Sequence, residues 1–176
     1  MNFPLHPLKP ASRTWLAAIA ASCVVLAVVC FARIGFAPAT AVVAILVFAT
    51  LISQAAFFAW IGAGVARAHV SVEGNHVVLS MPLYGRSIDL DRIDAASLSK
   101  VDLNQAEALK PTWRTNGLSV SGLNLGWFRT RGAGKTLMAM TGSDAVTWKT
   151  RDGYAVVVSV RDGDGLMHAM QSALTR

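Results

Sequence analysis

The stretch of clearest chemical promise is Gly132-Ala133-Gly134-Lys135-Thr136, which reads like the end of a phosphate-binding loop. Such a loop needs a further glycine five positions before the one that precedes the lysine, so that backbone N–H groups can wrap the phosphates. Arg129 stands at that position. The stretch also leads into an apolar strand-like run, KTLMAM, so no helix N-terminus would face a phosphate. The sequence therefore argues against a nucleotide site.

The histidines are His6, His69, His76 and His168. His69 and His76 lie either side of a turn and can approach each other, but a metal needs further ligands and Glu73 is the sole nearby candidate. They read as ordinary strand histidines. No serine has the surroundings of a nucleophile elbow. Asp89, Asp91 and Asp94 read as a solvated strand face without the partners a paired-carboxylate site requires. Cys23 and Cys30 stand at i and i+7 inside an apolar run, where thiols pack as small apolar groups. The expectation is a protein with no catalytic residue, no metal and no cofactor.

One basic cluster remains. Arg129, Arg131 and Lys135 surround a single predicted hairpin tip. Beside an anionic membrane leaflet each basic residue gains about 1 kcal/mol; away from one, the same residues make a solvated turn. The tip is thus a candidate membrane-surface contact.

The elements that would position these groups begin with two long apolar runs. Residues 15–32 and 39–63 contain no charge and flank a short break, Arg33 to Pro38. Their lengths, roughly 18 and roughly 25 residues, compare with the about 20 needed to cross a bilayer as a helix. A transmembrane helical hairpin over residues 15–66 is predicted, with Gly35 and Pro38 separating its helices. Residues 1–14 carry three prolines and are predicted irregular before Ser12, with Ser12 or Thr14 as cap. A signal peptide is disfavoured by the length of the first run and by the absence of a small-residue cleavage pattern at its end.

The chain has 176 residues and a formal net charge of +6. Lys9, Arg13 and Arg67 flank the hairpin on one side, against Arg33 alone in its loop, so the positive-inside bias places both the N-terminus and the C-terminal region on the cytoplasmic side of the membrane. Trp15 and Trp60 would then sit near the cytoplasmic interface. The charge speaks for topology rather than for nucleic acid, since a nucleic-acid binder needs a basic face on its folded part. Gln54, a polar exception in the second run, is predicted to hydrogen-bond across to the first helix, to a partner, or within the hairpin itself.

From His69 the apolar period drops to two. HVSV and HVVLSM flank Glu73-Gly74-Asn75; SIDLDRI and AASLSKVDL follow; residues 104–121 read as a long irregular loop. GLNLGWFRTR, KTLMAM, DAVTWKT and YAVVVSV read as further strands, with Arg151-Asp152-Gly153 as a hairpin cue. The last segment returns to helical spacing, with Leu166, Met170 and Leu174 on one face and Asp162 or Asp164 as cap. Residues 69–176 are therefore predicted to form seven or eight antiparallel strands, curled into a partly closed barrel or sandwich and closed by one helix. The fold class is α+β.

Within that pattern, Arg114-Thr115-Asn116-Gly117, Gly122 to Arg129, and Thr150 to Ser159 resemble a bacterial pleckstrin-homology (PH)-like domain family, over roughly residues 69–174. The resemblance implies structural roles for Asn116, Gly117, Gly122, Gly126, Trp127, Phe128, Asp152, Gly153 and Tyr154, with Trp127 and Tyr154 locking the core. It transfers no catalytic residue. Eukaryotic PH domains that hold inositol phosphates use basic residues around the first hairpin; here that tip is Glu73-Gly74-Asn75, short and acidic. The expected function is a non-enzymatic membrane-anchored module that docks a protein partner or self-associates, through a sheet edge or the 104–121 segment. The alternative is a lipid- or ligand-sensing module using the basic tip.

Overall fold

The structure, a computed structural model, describes residues 1–34 and 38–175. Gly35, expected in the break between the apolar helices, lies outside the described residues. The chain divides into two compact units: residues Pro10–Ala63, and residues Met1–Lys9 together with Gly64–Arg176.

The first unit consists of α1 (Pro10–Ile34) and most of α2 (Pro38–Ala66). Both helices are long and apolar enough to cross a membrane. They run in opposite directions, since Leu16 approaches Gly62 while the Cys23 thiol lies 3.9 Å from the Gln54 carbonyl Oε1. Leu16, Cys23 and Ala27 are buried along one stripe of α1, whereas Val24, Val25, Leu26, Val28 and Val29 are exposed. An apolar surface all round a helix is a property shared by buried core helices and membrane spans. Helix α1 starts at Pro10, earlier than expected from its prolines. Pro10 occupies the first helical position, where a missing N–H and a fixed φ cost nothing, and Thr14 Oγ1 donates to its carbonyl.

The second unit is two sheets and a helix. Strands β1 (Asn2–Pro4), β2 (His69–Glu73), β3 (His76–Ser80) and β4 (Arg86–Asp89) form one sheet in that order. Strands β5 (Ile93–Asp102), β6 (Pro111–Val120), β7 (Leu123–Thr130), β8 (Gly134–Met140), β9 (Asp144–Thr150) and β10 (Ala155–Val158) form the other, ordered β5-β9-β10-β8-β7-β6. The sheets do not close into a barrel and make a sandwich-like arrangement. Helix α3 (Gly163–Leu174) packs on β5, β9 and β2, with Leu166 and Met170 fully buried. Asp162 is its cap, accepting from Gly165 N at 2.8 Å.

Three features depart from the sequence expectation. The 104–121 segment is not an irregular loop: a 3-10 turn at Glu107–Leu109 leads into the ten-residue strand β6. Two register shifts, at Pro111/Trp113 and Arg114/Asn116, break the alternation that would have marked it. Second, β10 pairs antiparallel with β9 but parallel with β8, so one ladder of the sheet is parallel. Third, the proline-rich N-terminus is not wholly irregular. Asn2–Pro4 pairs with β2, Leu5 bridges to Val160, and Phe3 and Leu5 are buried. Hydrogen bonds from Leu5 N to Ala68 O and from His6 N to Ser159 O tie this segment to both sheets.

The six-stranded sheet buries both faces. Along β7 the alternation sends Leu123, Leu125 and Trp127 to one side and Phe128 to the other. Phe128 joins Met138, Met140, Val157, Ala145 and Leu103 in a cluster of its own.

Candidate functional site

The β7–β8 hairpin holds the basic tip predicted from sequence. Arg129 and Lys135 are register partners across it, and Thr130 faces Gly134. Gly134 has φ +66°, which closes the turn, and Lys135 continues into a strand. Thr136 Oγ1 lies 3.2 Å from Thr130 Oγ1, and Thr130 Oγ1 accepts from Ala133 N. The Gly-Ala-Gly-Lys-Thr stretch is thus a hairpin turn.

Lys135 does not extend freely into solvent. Its Nζ lies 4.5 Å from the centroid of the Trp127 ring. Trp127 meets Tyr154 edge to face, with centroids 5.2 Å apart and planes at 77°. Arg86, from β4 in the other sheet, places its guanidinium carbon 5.7 Å from the Trp127 centroid and 5.2 Å from that of Tyr154. Each such contact at an exposed site stabilises by about 0.5–1 kcal/mol. Tyr154 is buried and Trp127 half-buried, so the pair forms a floor between two exposed cations. Among the described residues, none of Arg86, Arg129, Arg131 and Lys135 has a carboxylate within 4.0 Å. Arg131 is exposed in the turn itself.

The glycines around this floor keep β6 and β7 close. Gly117 and Gly126 are direct partners. Gly126 has φ +111°, and a Cβ there would come within 2.7 Å of Asn116 O and of Gly117 Cα. Asn116 Oδ1 accepts from Tyr84 Oη at 3.1 Å, so the β3–β4 connection leans on the same place. Gly122 and Gly153 turn the chain with φ of 78° and 80°. Asp152 accepts from Arg92 at 2.8 Å.

The histidines are not brought together. His69 stands opposite Ser80, and His76 opposite Glu73. His76 Nδ1 lies 2.6 Å from Asp89 Oδ1, both half-exposed, while His69 Nδ1 lies near Arg67 O. Among the described residues no group of three His, Cys, Asp or Glu side chains is placed to hold a metal. Asp94 is engaged locally, accepting from Ala96 N.

The bacterial PH domain family matches residues 68–174. The chain belongs to that family. No curated protein and no solved structure matches it. PH domains are generally non-catalytic, and this one extends beyond the matched segment: β1, from residues ahead of the apolar helices, completes its four-stranded sheet.

Sequence reasoning missed Arg86, which carries half of the cation–aromatic cluster. No local signal marks it. It reaches Trp127 only because β4 and β7, far apart in the chain, are folded together.

Proposed function

We propose that this bacterial PH protein is a non-enzymatic membrane protein whose helical hairpin crosses the inner membrane and holds the PH module on the cytoplasmic side. There the module docks a partner protein by strand addition along β6. The observation that carries the docking reading is β6 itself. It ends the six-stranded sheet, runs for ten residues, and is exposed from Pro111 to Asn116, with Trp113 71% exposed. An edge strand offers a row of backbone donors and acceptors. Pro111 and the two bulges blunt its first half, leaving Asn116–Val120 in regular register for an incoming strand.

The membrane reading rests on the length and apolar surface of α1 and α2. It is supported by residues 1–9 and 64–176 forming one unit, because a chain that leaves and rejoins one folded module returns to the same side. Lys9, Arg13 and Arg67 stand at that side and Arg33 at the other, which favours the cytoplasm. Trp15 and Trp60 are both exposed at the same end of the antiparallel pair, where indoles anchor at an interface.

The test is photocrosslinking in native membranes, with the reactive residue placed at position 113 or 119 of the full chain. Adducts to a short extended segment of one protein are expected from both positions. Adducts to a second copy of the chain would replace docking with self-association, and adducts to lipid alone would sink the reading.

A further inference from the structure

Three neighbouring strands at one edge of the six-stranded sheet carry charge of a single sign. Between Glu107 and Asp144 the sequence contains no acidic residue, and Arg114, Arg129, Arg131 and Lys135 all fall in that span, on β6, β7, β8 and the β7–β8 turn. Lys110, at the start of the span, is taken up by Glu107. The opposite edge strand, β5, mixes Asp94, Lys100 and Asp102. The basic residues also stand in a row. Trp113 is the register partner of Arg129, and Arg129 of Lys135. Directly opposed residues of antiparallel strands share a face of the sheet, so an exposed indole and two exposed cations line up across β6, β7 and β8. Arg86 meets the same Trp127 ring as Lys135 and adds a further cation beside the row.

This arrangement works against the fold. Like charges directly opposite across an antiparallel pair destabilise it, and Arg129 and Lys135 are such a pair. Among the described residues neither has a carboxylate within 4.0 Å, nor does Arg86, Arg114 or Arg131. All five are exposed. The row ends on β6, whose outer backbone groups are open. A strand added there lies one strand spacing from Arg114 and two, about 10 Å, from Arg129 at the backbone. Two long side chains of opposite charge close that gap. The regular ladder lies farther along β6, at Asn116–Val120, where Leu118 and Val120 are half-buried.

We infer that the segment β6 accepts is an extended stretch of a partner protein with an acidic end. It is apolar where it pairs with Asn116–Val120 and carries Asp or Glu where it passes Trp113, Arg114 and the Arg129–Lys135 pair. This rests on the strand-addition reading of β6. A second copy of this chain does not fit, because two β6 edges brought together would oppose the same cations, and like-signed surfaces repel. A nucleic acid would meet the cations and Trp113 but leave the open backbone groups of Asn116–Val120 unpaired. Carboxylates on the incoming strand relieve the repulsion between Arg129 and Lys135, and the same charge excludes neutral and basic strands.

The test uses the full chain in detergent with a photoreactive residue at position 119. The probes are a short peptide of alternating Val and Thr with glutamates at both ends, and the same peptide with glutamines in their place. Attachment is titrated for each. The glutamate peptide should reach half-maximal attachment at about tenfold lower concentration, the effect of a few cross-strand ion pairs together. The preference should vanish in high salt and in the double variant Arg129→Gln, Lys135→Gln, and persist in Lys149→Gln, an exposed lysine on β9. Arg114→Gln alone should reduce it. Circular dichroism checks that each variant is folded. Equal attachment of the two peptides overturns the inference while leaving strand addition in place. Attachment of neither overturns both. Attachment to a second copy of the chain in preference to the glutamate peptide also overturns the inference, as does displacement of that peptide by a single-stranded oligonucleotide at lower concentration than by unlabelled peptide.

Discussion

The N-terminal strand allows a sharp test, because the residues that hold it are few. Phe3 and Leu5 are 8% and 5% exposed. The Val72 amide donates to Met1 O, and the Arg161 amide to Pro4 O. Truncating a buried leucine to alanine costs about 2–5 kcal/mol and a phenylalanine about 3–5. At the margin of a sheet the neighbours can close into the space, so the lower ends apply: about 2 kcal/mol for Leu5→Ala and about 3 for Phe3→Ala. Residues 1–6 can open without unfolding the remainder, so this energy is read as local opening. Each 1.4 kcal/mol is tenfold, so exchange should accelerate about thirtyfold in Leu5→Ala and about a hundredfold in Phe3→Ala. The assay is hydrogen–deuterium exchange of the full chain in detergent, on peptides containing Val72 and Arg161. The peptide spanning Ala155–Val158, whose side chains are buried in β10, is the control and should hold its rate. Less than threefold acceleration at both sites in both variants would refute the idea that this segment is part of the module.

Three further outcomes follow from the geometry. Gly126→Ala should destabilise the module by more than about 2 kcal/mol, since it adds positive-φ strain to a clash with Asn116 O and Gly117; Gly153→Ala, also at positive φ but in open space, should cost about 1 kcal/mol in the same denaturant titration. Asp162→Ala removes the cap of α3 and should cost about 1 kcal/mol, with faster exchange at Gly165. The Lys100 pKa is raised, first by its hydrogen bond to Asp164, with the charges of Asp164, Asp144 and Asp162 adding against a loss from burial. A raised lysine pKa means stability fully present below the unfolded value and lost as pH rises through the folded one. The melting difference between wild type and Lys100→Gln should therefore be constant from neutral pH to about pH 10 and shrink above it; a difference that shrinks in the acid range instead, while Asp164 stays ionised, would refute the assignment.

What could be read before folding, and what could not, divides by the range of the interaction. The helical hairpin, the β7–β8 and β9–β10 turns and the amphipathic α3 are all encoded within a few residues: charge-free length, Gly134, Asp152-Gly153, and the Leu166/Met170 spacing. The PH pattern was legible for the same reason, since its glycines and aromatics lie close together on β6, β7 and the start of β10. Strand β6 was hidden because its bulges shift the side-chain phase twice, so no window shows strict alternation. Strand β1 was hidden by Pro4 and Pro7, yet Pro4 still serves at an edge, where its carbonyl accepts from Arg161 and its missing N–H leaves no ladder bond unmade toward solvent. The position of β10 between β8 and β9 is a pairing choice that no local segment encodes. The same limit governs the candidate site: Lys135 and Trp127 are neighbours on one hairpin and were both singled out, but Arg86 joins them only through long-range packing, beside the contact of Tyr84 with Gly126. A glycine chosen to let two strands approach thus also decides where a distant arginine ends, and a larger side chain at position 126 should displace Arg86 from Trp127 as well as strain β7.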